Sequence, residues 1–127
     1  MTMYVNIDGE LYTIDASGHA SQRMDERFSE NYMNSEFVVH RLATLLEKPE
    51  FVDVILNGVR YGECFVLEDF EMGFDMAVRH VMDSSGAHLV IKTACRRLYR
   101  GIGEKIIRVQ GGRVVPYLFR SKEVWAY

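Results

Sequence analysis

Proline is scarce, with two in 127 residues. Together with only ten glycines, that leaves little room for a flexible linker between domains. Cysteine is equally scarce: Cys64 and Cys95 are the only two, and both sit inside apolar segments. A disulfide framework is therefore not expected, and buried free thiols in a reducing compartment are. No C-x-x-C occurs, and the four histidines lack metal-ligand spacing such as H-x-x-x-H. No metal site and no cofactor is expected. A basic start followed by an apolar run of signal-peptide length is missing, and no apolar run is long enough to span a bilayer. The expectation is a cytoplasmic protein without membrane association.

What is present fits a globular chain. Hydrophobic residues make up 48% and charged residues 26%, which matches one domain over 1–127 with a real core. The formal net charge of -3 hides an asymmetry. Residues 1–91 hold 6 Lys+Arg against 16 Asp+Glu, a net of -10, while residues 92–127 hold 9 against 2, a net of +7. A basic end on an acidic protein can bind an anion or an acidic partner, or it can pack against the protein's own acidic half.

The chain opens with alternation on both sides of Asp8-Gly9, which predicts a β-hairpin. A helix is expected from Ser17 or Gly18 to Phe28, capped by Asp15 or Ser17. A second is expected from Ser35 to Glu47, with Ser35 as N-cap, Val38, Val39, Leu42, Leu45 and Leu46 as its stripe, and Pro49 beyond its end. Phe51–Leu56, the turn Asn57-Gly58 and Val59–Leu67 read as a hairpin, with Gly62 as a bulge. Strands are expected at Phe74–Met82 and His88–Cys95. A basic C-terminal hairpin pairs Ile106–Val109 with Arg113–Phe119, and Pro116 puts its second strand at an edge. The expected class is α+β: two N-terminal helices on an antiparallel sheet of about four strands, with an N-terminal hairpin and a basic C-terminal hairpin.

The chemistry concentrates at S-G-H-A-S-Q-R-M-D-E-R-F, residues 17–28. Four-residue spacing aligns His19, Arg23 and Arg27 on one helix face, with Glu26 beside them and Ala20, Met24 and Phe28 on the adjoining apolar face. Two guanidiniums on one face can hold a phosphate, and a histidine one turn away can move a proton near neutral pH. That set suits RNA cleavage through the ribose 2′-hydroxyl, which needs no metal. The same residues also suit a plain solvated face with an Arg23–Glu26 pair.

The segment H-A-x-x-R-M-x-x-R at 19–27 resembles the helix signature of a family of small bacterial and phage domains. Those domains are related to BrnT and RelE type toxins in the barnase/RelE-like superfamily. Val90-Ile91-Lys92-Thr93-Ala94 stands where that family has a late V-x-T-V-like strand. The resemblance covers roughly residues 15–95, leaving 96–127 as a C-terminal extension. It implies an α+β fold, metal-independent endoribonuclease activity or RNA binding, and an antitoxin or other protein partner. His19, Arg23 and Arg27 match the helix motif, and Thr93 matches the strand motif.

Outside that match, His80 alternates with Met76, Val78 and Met82, as a core histidine does; opening into the cleft of His19, it becomes the second acid–base group. Arg96, Arg97 and Arg100, with Tyr99 among them, are the candidate nucleic-acid contacts or else a solvated edge. Tyr117, Phe119 and Trp125 suggest a homodimer or partner surface. The alternative to an RNA-directed function is a non-catalytic protein-interaction protein of phage or plasmid origin with the same fold.

Overall fold

Asp8 and Gly9 adopt φ of 53° and 87°, the positive pair that a two-residue hairpin turn requires. They join strand β1 (Thr2–Ile7) to β2 (Glu10–Ala16), and Asn6 Oδ1 accepts from Gly9 N at 3.0 Å. The structure, a computed structural model, describes residues 2–18 and 34–120. The helix expected from Ser17 or Gly18 to Phe28 lies outside the described residues beyond Gly18.

Helix α1 (Ser35–Leu45) is capped by Asn34, not Ser35: Asn34 Oδ1 accepts from Phe37 N at 3.1 Å. Its buried stripe is Val38, Val39, Leu42, Ala43 and Leu45.

Helix α2 (Pro49–Gly58) replaces the hairpin expected over 51–67. Pro49 occupies the first turn of this helix, where its missing N–H costs nothing. The buried residues Phe51, Val54, Ile55 and Gly58 follow the i, i+3, i+4, i+7 rule of a helix. Asn57, read as a turn residue, instead donates from Nδ2 to Asp53 Oδ1 one turn back at 2.6 Å. A run of six apolar and acidic residues satisfies both periods, and the proline ahead of it decides for helix.

Strands β3 (Cys64–Asp69), β4 (Phe74–Asp83) and β5 (Gly86–Cys95) form an antiparallel meander. Gly62, at φ 93°, turns the chain just before β3 and is not a bulge within it; the register shift lies between Ala77 and Val78. Strands β6 (Lys105–Gln110) and β7 (Arg113–Leu118) form the C-terminal hairpin, and Pro116 does sit on an edge strand.

The sheet is the larger correction. It has seven strands in the order β1-β2-β5-β4-β3-β6-β7, not about four. It is mixed, because β2 joins β5 and β3 joins β6 in parallel. Both hairpins, expected as appendages, extend the central meander, one at each side. The two described helices are internal to the chain, between β2 and β3, not N-terminal.

One face of the sheet meets the helices. Tyr12, Ile14, Phe65, Leu67, Phe74, Met76, Val78, Leu89, Ile91, Ile107 and Val109 pack there with the stripes of α1 and α2 in one cluster. Each fully buried side chain of that size contributes roughly 1.5–3 kcal/mol. Side chains alternate along a strand, so the residues between these point to the other face. Glu68, Asp75, Arg108 and Tyr117 lie on that second face.

Candidate functional site

Register assembles the site. Glu68 is the direct partner of Asp75 across β3–β4 and of Arg108 across β3–β6. Both carboxylates are buried, at 4% exposure each. Ionised carboxylates persist in such a place only when paired. The pairing comes from the loop after β5, where Arg100 reaches back over the sheet. Its Nη2 contacts Glu68 Oε2 at 2.5 Å and Asp75 Oδ2 at 2.6 Å, and its Nη1 donates to Leu98 O at 2.8 Å. Leu98 N also donates to Asp75 Oδ2, at 2.9 Å.

Arg108 completes the other side. Its Nε donates to Glu68 Oε1 at 3.0 Å, and its guanidinium lies 4.5 Å from the Phe70 ring centre and 5.2 Å from that of Tyr117. The Tyr117 hydroxyl donates to the same Glu68 oxygen. Phe70, Arg108 and Tyr117 thus form a ladder fixed by one carboxylate. Burial pushes the Asp75 carboxyl above the usual range, against the pull of Leu98 N–H and Arg100. Burial, with the Glu68 carboxylate, also raises Tyr117.

These groups line a cleft of about 520 Å³, with Arg96, Arg97 and Phe119 also on its walls. Arg96 and Arg97 are exposed and make no ion pair with any described residue. Arg100 and Arg108 are held by the protein's own acids, while Arg96 and Arg97 have no acidic partner among the described residues.

The expected site residues separate. His19, Arg23 and Arg27 lie outside the described residues, as does Trp125. His80 is on the helix side of the sheet, not in the cleft, at 2% exposure. Val59 O accepts from its Nδ1 at 2.9 Å, so its Nε2 is the acceptor for the Tyr12 hydroxyl at 2.8 Å. Burial holds the imidazole below its ordinary pKa. Thr93 pairs with Ala77 on the cleft side of the sheet but does not line the cleft. Arg96, Arg97 and Arg100 do meet in it, in two different roles. Cys64 is exposed and Cys95 half-buried, both as free thiols, so neither is the fully buried thiol expected.

Glu68, Phe70, Asp75 and Arg108 were not singled out from sequence, and Tyr117 and Phe119, expected on a partner surface, line the cleft instead. Alternation does place Asp75 opposite the apolar side of β4, but nothing local brings Glu68 beside it. Among the described residues, no group of His, Cys, Asp or Glu is arranged to hold a metal ion, and no helix is long and apolar enough to cross a membrane.

No family model, no curated protein and no solved structure matches this chain.

Proposed function

We propose that this protein binds single-stranded RNA in the cleft between β3, β4 and the 96–100 loop. The observation that carries the reading is the presence in one cleft of two exposed guanidiniums, Arg96 and Arg97, with no acidic partner among the described residues, and a preformed aromatic–arginine ladder. Phosphates suit the former, through charge and bidentate geometry. An unpaired base suits the latter: Phe70 is 46% exposed, and an aromatic ring stacks on any base. Tyr99, 92% exposed between Arg97 and Arg100, offers a second stacking surface. The acidic remainder of the chain repels duplex and bulk nucleic acid, so a short site is favoured over a long track.

Metal-independent cleavage is the stronger form of this reading. It rests on the resemblance to RelE and BrnT type toxins, with Arg23 and Arg27 as phosphate clamps and His19 as acid or base. The reading places the protein in the cytoplasm, where its free thiols stay reduced. The test is fluorescence anisotropy of a labelled single-stranded RNA in excess EDTA, with gel analysis of the same samples. Binding that weakens in an Arg96→Ala, Arg97→Ala double variant supports the cleft. Fragments abolished by His19→Ala, Arg23→Ala support cleavage. Absence of binding at low salt removes both.

A second reading, as a protein-interaction protein or homodimer, is favoured by one observation. Edge strand β1 reads T-M-Y-V-N-I, with no charge, proline or bulge to discourage pairing. Sedimentation of wild type against Tyr4→Lys tests it: a complex lost on adding the edge charge supports it, and a wild-type monomer removes the homodimer.

A further inference from the structure

We propose that Asp75 is the residue by which the cleft tells RNA from DNA, its Oδ1 accepting a hydrogen bond from the 2′-hydroxyl of a bound ribose. This rests on the RNA-binding reading above. The Asp75 side chain is 5% exposed and lines the cleft. Its two oxygens are unequal. Oδ2 takes both Arg100 Nη2 and Leu98 N. Oδ1 accepts from no described residue. The only fully enclosed side-chain polar atom left without a partner among the described residues is Arg100 Nε, so Oδ1 keeps some exposure, and the cleft is the cavity that Asp75 lines.

A carboxylate oxygen that has lost most of its water and gained no donor carries a standing cost. A ligand that brings an O–H or N–H to it removes that cost. A carboxylate is acceptor-only, so it selects for a donor and rejects a group without one. Arg100 and Leu98 N hold the other oxygen, which fixes where Oδ1 points.

The position narrows the donor. Asp75 shares the cleft with Arg96 and Arg97, the groups suited to phosphate. In a nucleotide chain the donor nearest a phosphodiester is the 2′-hydroxyl, on the carbon adjacent to the one that bears the 3′-oxygen. Base N–H groups lie at the far side of the sugar, toward a base stacked on Phe70. DNA lacks the hydroxyl, and 2′-fluoro RNA keeps the sugar pucker but has no proton to give.

The test is anisotropy with one mixed-sequence single strand made as RNA, as 2′-fluoro RNA and as DNA, on the full chain at low salt in EDTA. RNA is expected to bind about tenfold or more tighter than either analogue, the scale of one hydrogen bond to a charged group. The Asp75→Ala protein, checked for folding by circular dichroism, is expected to lose that preference. Equal affinity for RNA and 2′-fluoro RNA overturns the proposal and leaves RNA binding standing. A preference that follows base identity and not the sugar also overturns it, as does full discrimination by folded Asp75→Ala. If no strand binds, the RNA-binding reading itself fails. Should Asp75→Ala not fold, the sugar comparison on wild type decides alone.

Discussion

Glu68 and Asp75 face each other directly across the β3–β4 ladder, both buried, and share the terminal nitrogen of Arg100. Two carboxylates so close repel unless a cation lies between them. The Arg100 loop is therefore part of the sheet's stability as well as of the cleft.

Arg100→Ala is expected to destabilise the fold by about 3–5 kcal/mol, because it leaves buried charges uncompensated. The loss should shrink at acid pH, where protonation relieves the pair. Wild-type Asp75 has a folded pKa raised by burial, so its contribution is full below its unfolded value and declines as pH rises through the folded one. Urea melts of both proteins at pH 4.5 and 8 check this; an equal loss at the two pH values would contradict it.

Arg96→Ala, Arg97→Ala is expected to leave stability within about 0.5 kcal/mol, since both side chains are exposed. RNA affinity should fall, and the slope of log affinity against log salt should flatten by about 1.4, from two lost phosphate contacts. A salt titration by anisotropy measures it.

Tyr12→Phe removes the hydroxyl that donates to His80 Nε2 inside the core. Stranding that acceptor is expected to cost about 1–3 kcal/mol by chemical denaturation. His80 has its folded pKa lowered by burial, so the wild-type contribution is full above the ordinary imidazole value and is lost as pH falls toward the folded one. A proton-detected titration should show His80 ionising below the ordinary imidazole value.

Asp83→Asn addresses the β4–β5 turn. Asp83 accepts from Ser85 N at 2.8 Å, Ser85 Oγ at 2.6 Å and His88 Nε2 at 2.9 Å, and these bonds lower its pKa to about 2. Its contribution is present above the ordinary value of 3.8 and disappears as pH falls to about 2. The variant should be less stable than wild type at pH 6 and equal to it near pH 2, by thermal melts.

Asn34→Ala is expected to lower stability by about 1 kcal/mol through loss of the α1 cap, read as a shift in denaturant midpoint with unchanged slope.

How far local pattern reaches is visible at particular residues. Asp8-Gly9 announces its hairpin because only a tight turn needs two positive φ angles in a row. Pro116 announces an edge because it has no N–H for a second ladder. Phe51–Leu56 misleads because a short apolar run fits two periods at once, and the polar residue after it, Asn57, makes no turn but braces a helix.

Legible in the sequence were the hairpins at both ends, strands β4 and β5, the face of α1 and the basic run at 96–100; β3 was expected too early, as the return strand of a hairpin. Each of these depends on neighbours within a few positions, through φ preference, alternation or charge. Tertiary packing alone sets that the hairpins join the meander through parallel ladders, that Glu68 stands beside Asp75, and that Arg100 is held internally while Arg96 and Arg97 have no acidic partner among the described residues. Those outcomes depend on strand register between distant segments, 49 residues apart in the Glu68–Tyr117 bond and farther still where Tyr12 pairs with Ala87. Register is set by burying one whole sheet face at once, and no local window contains that sum.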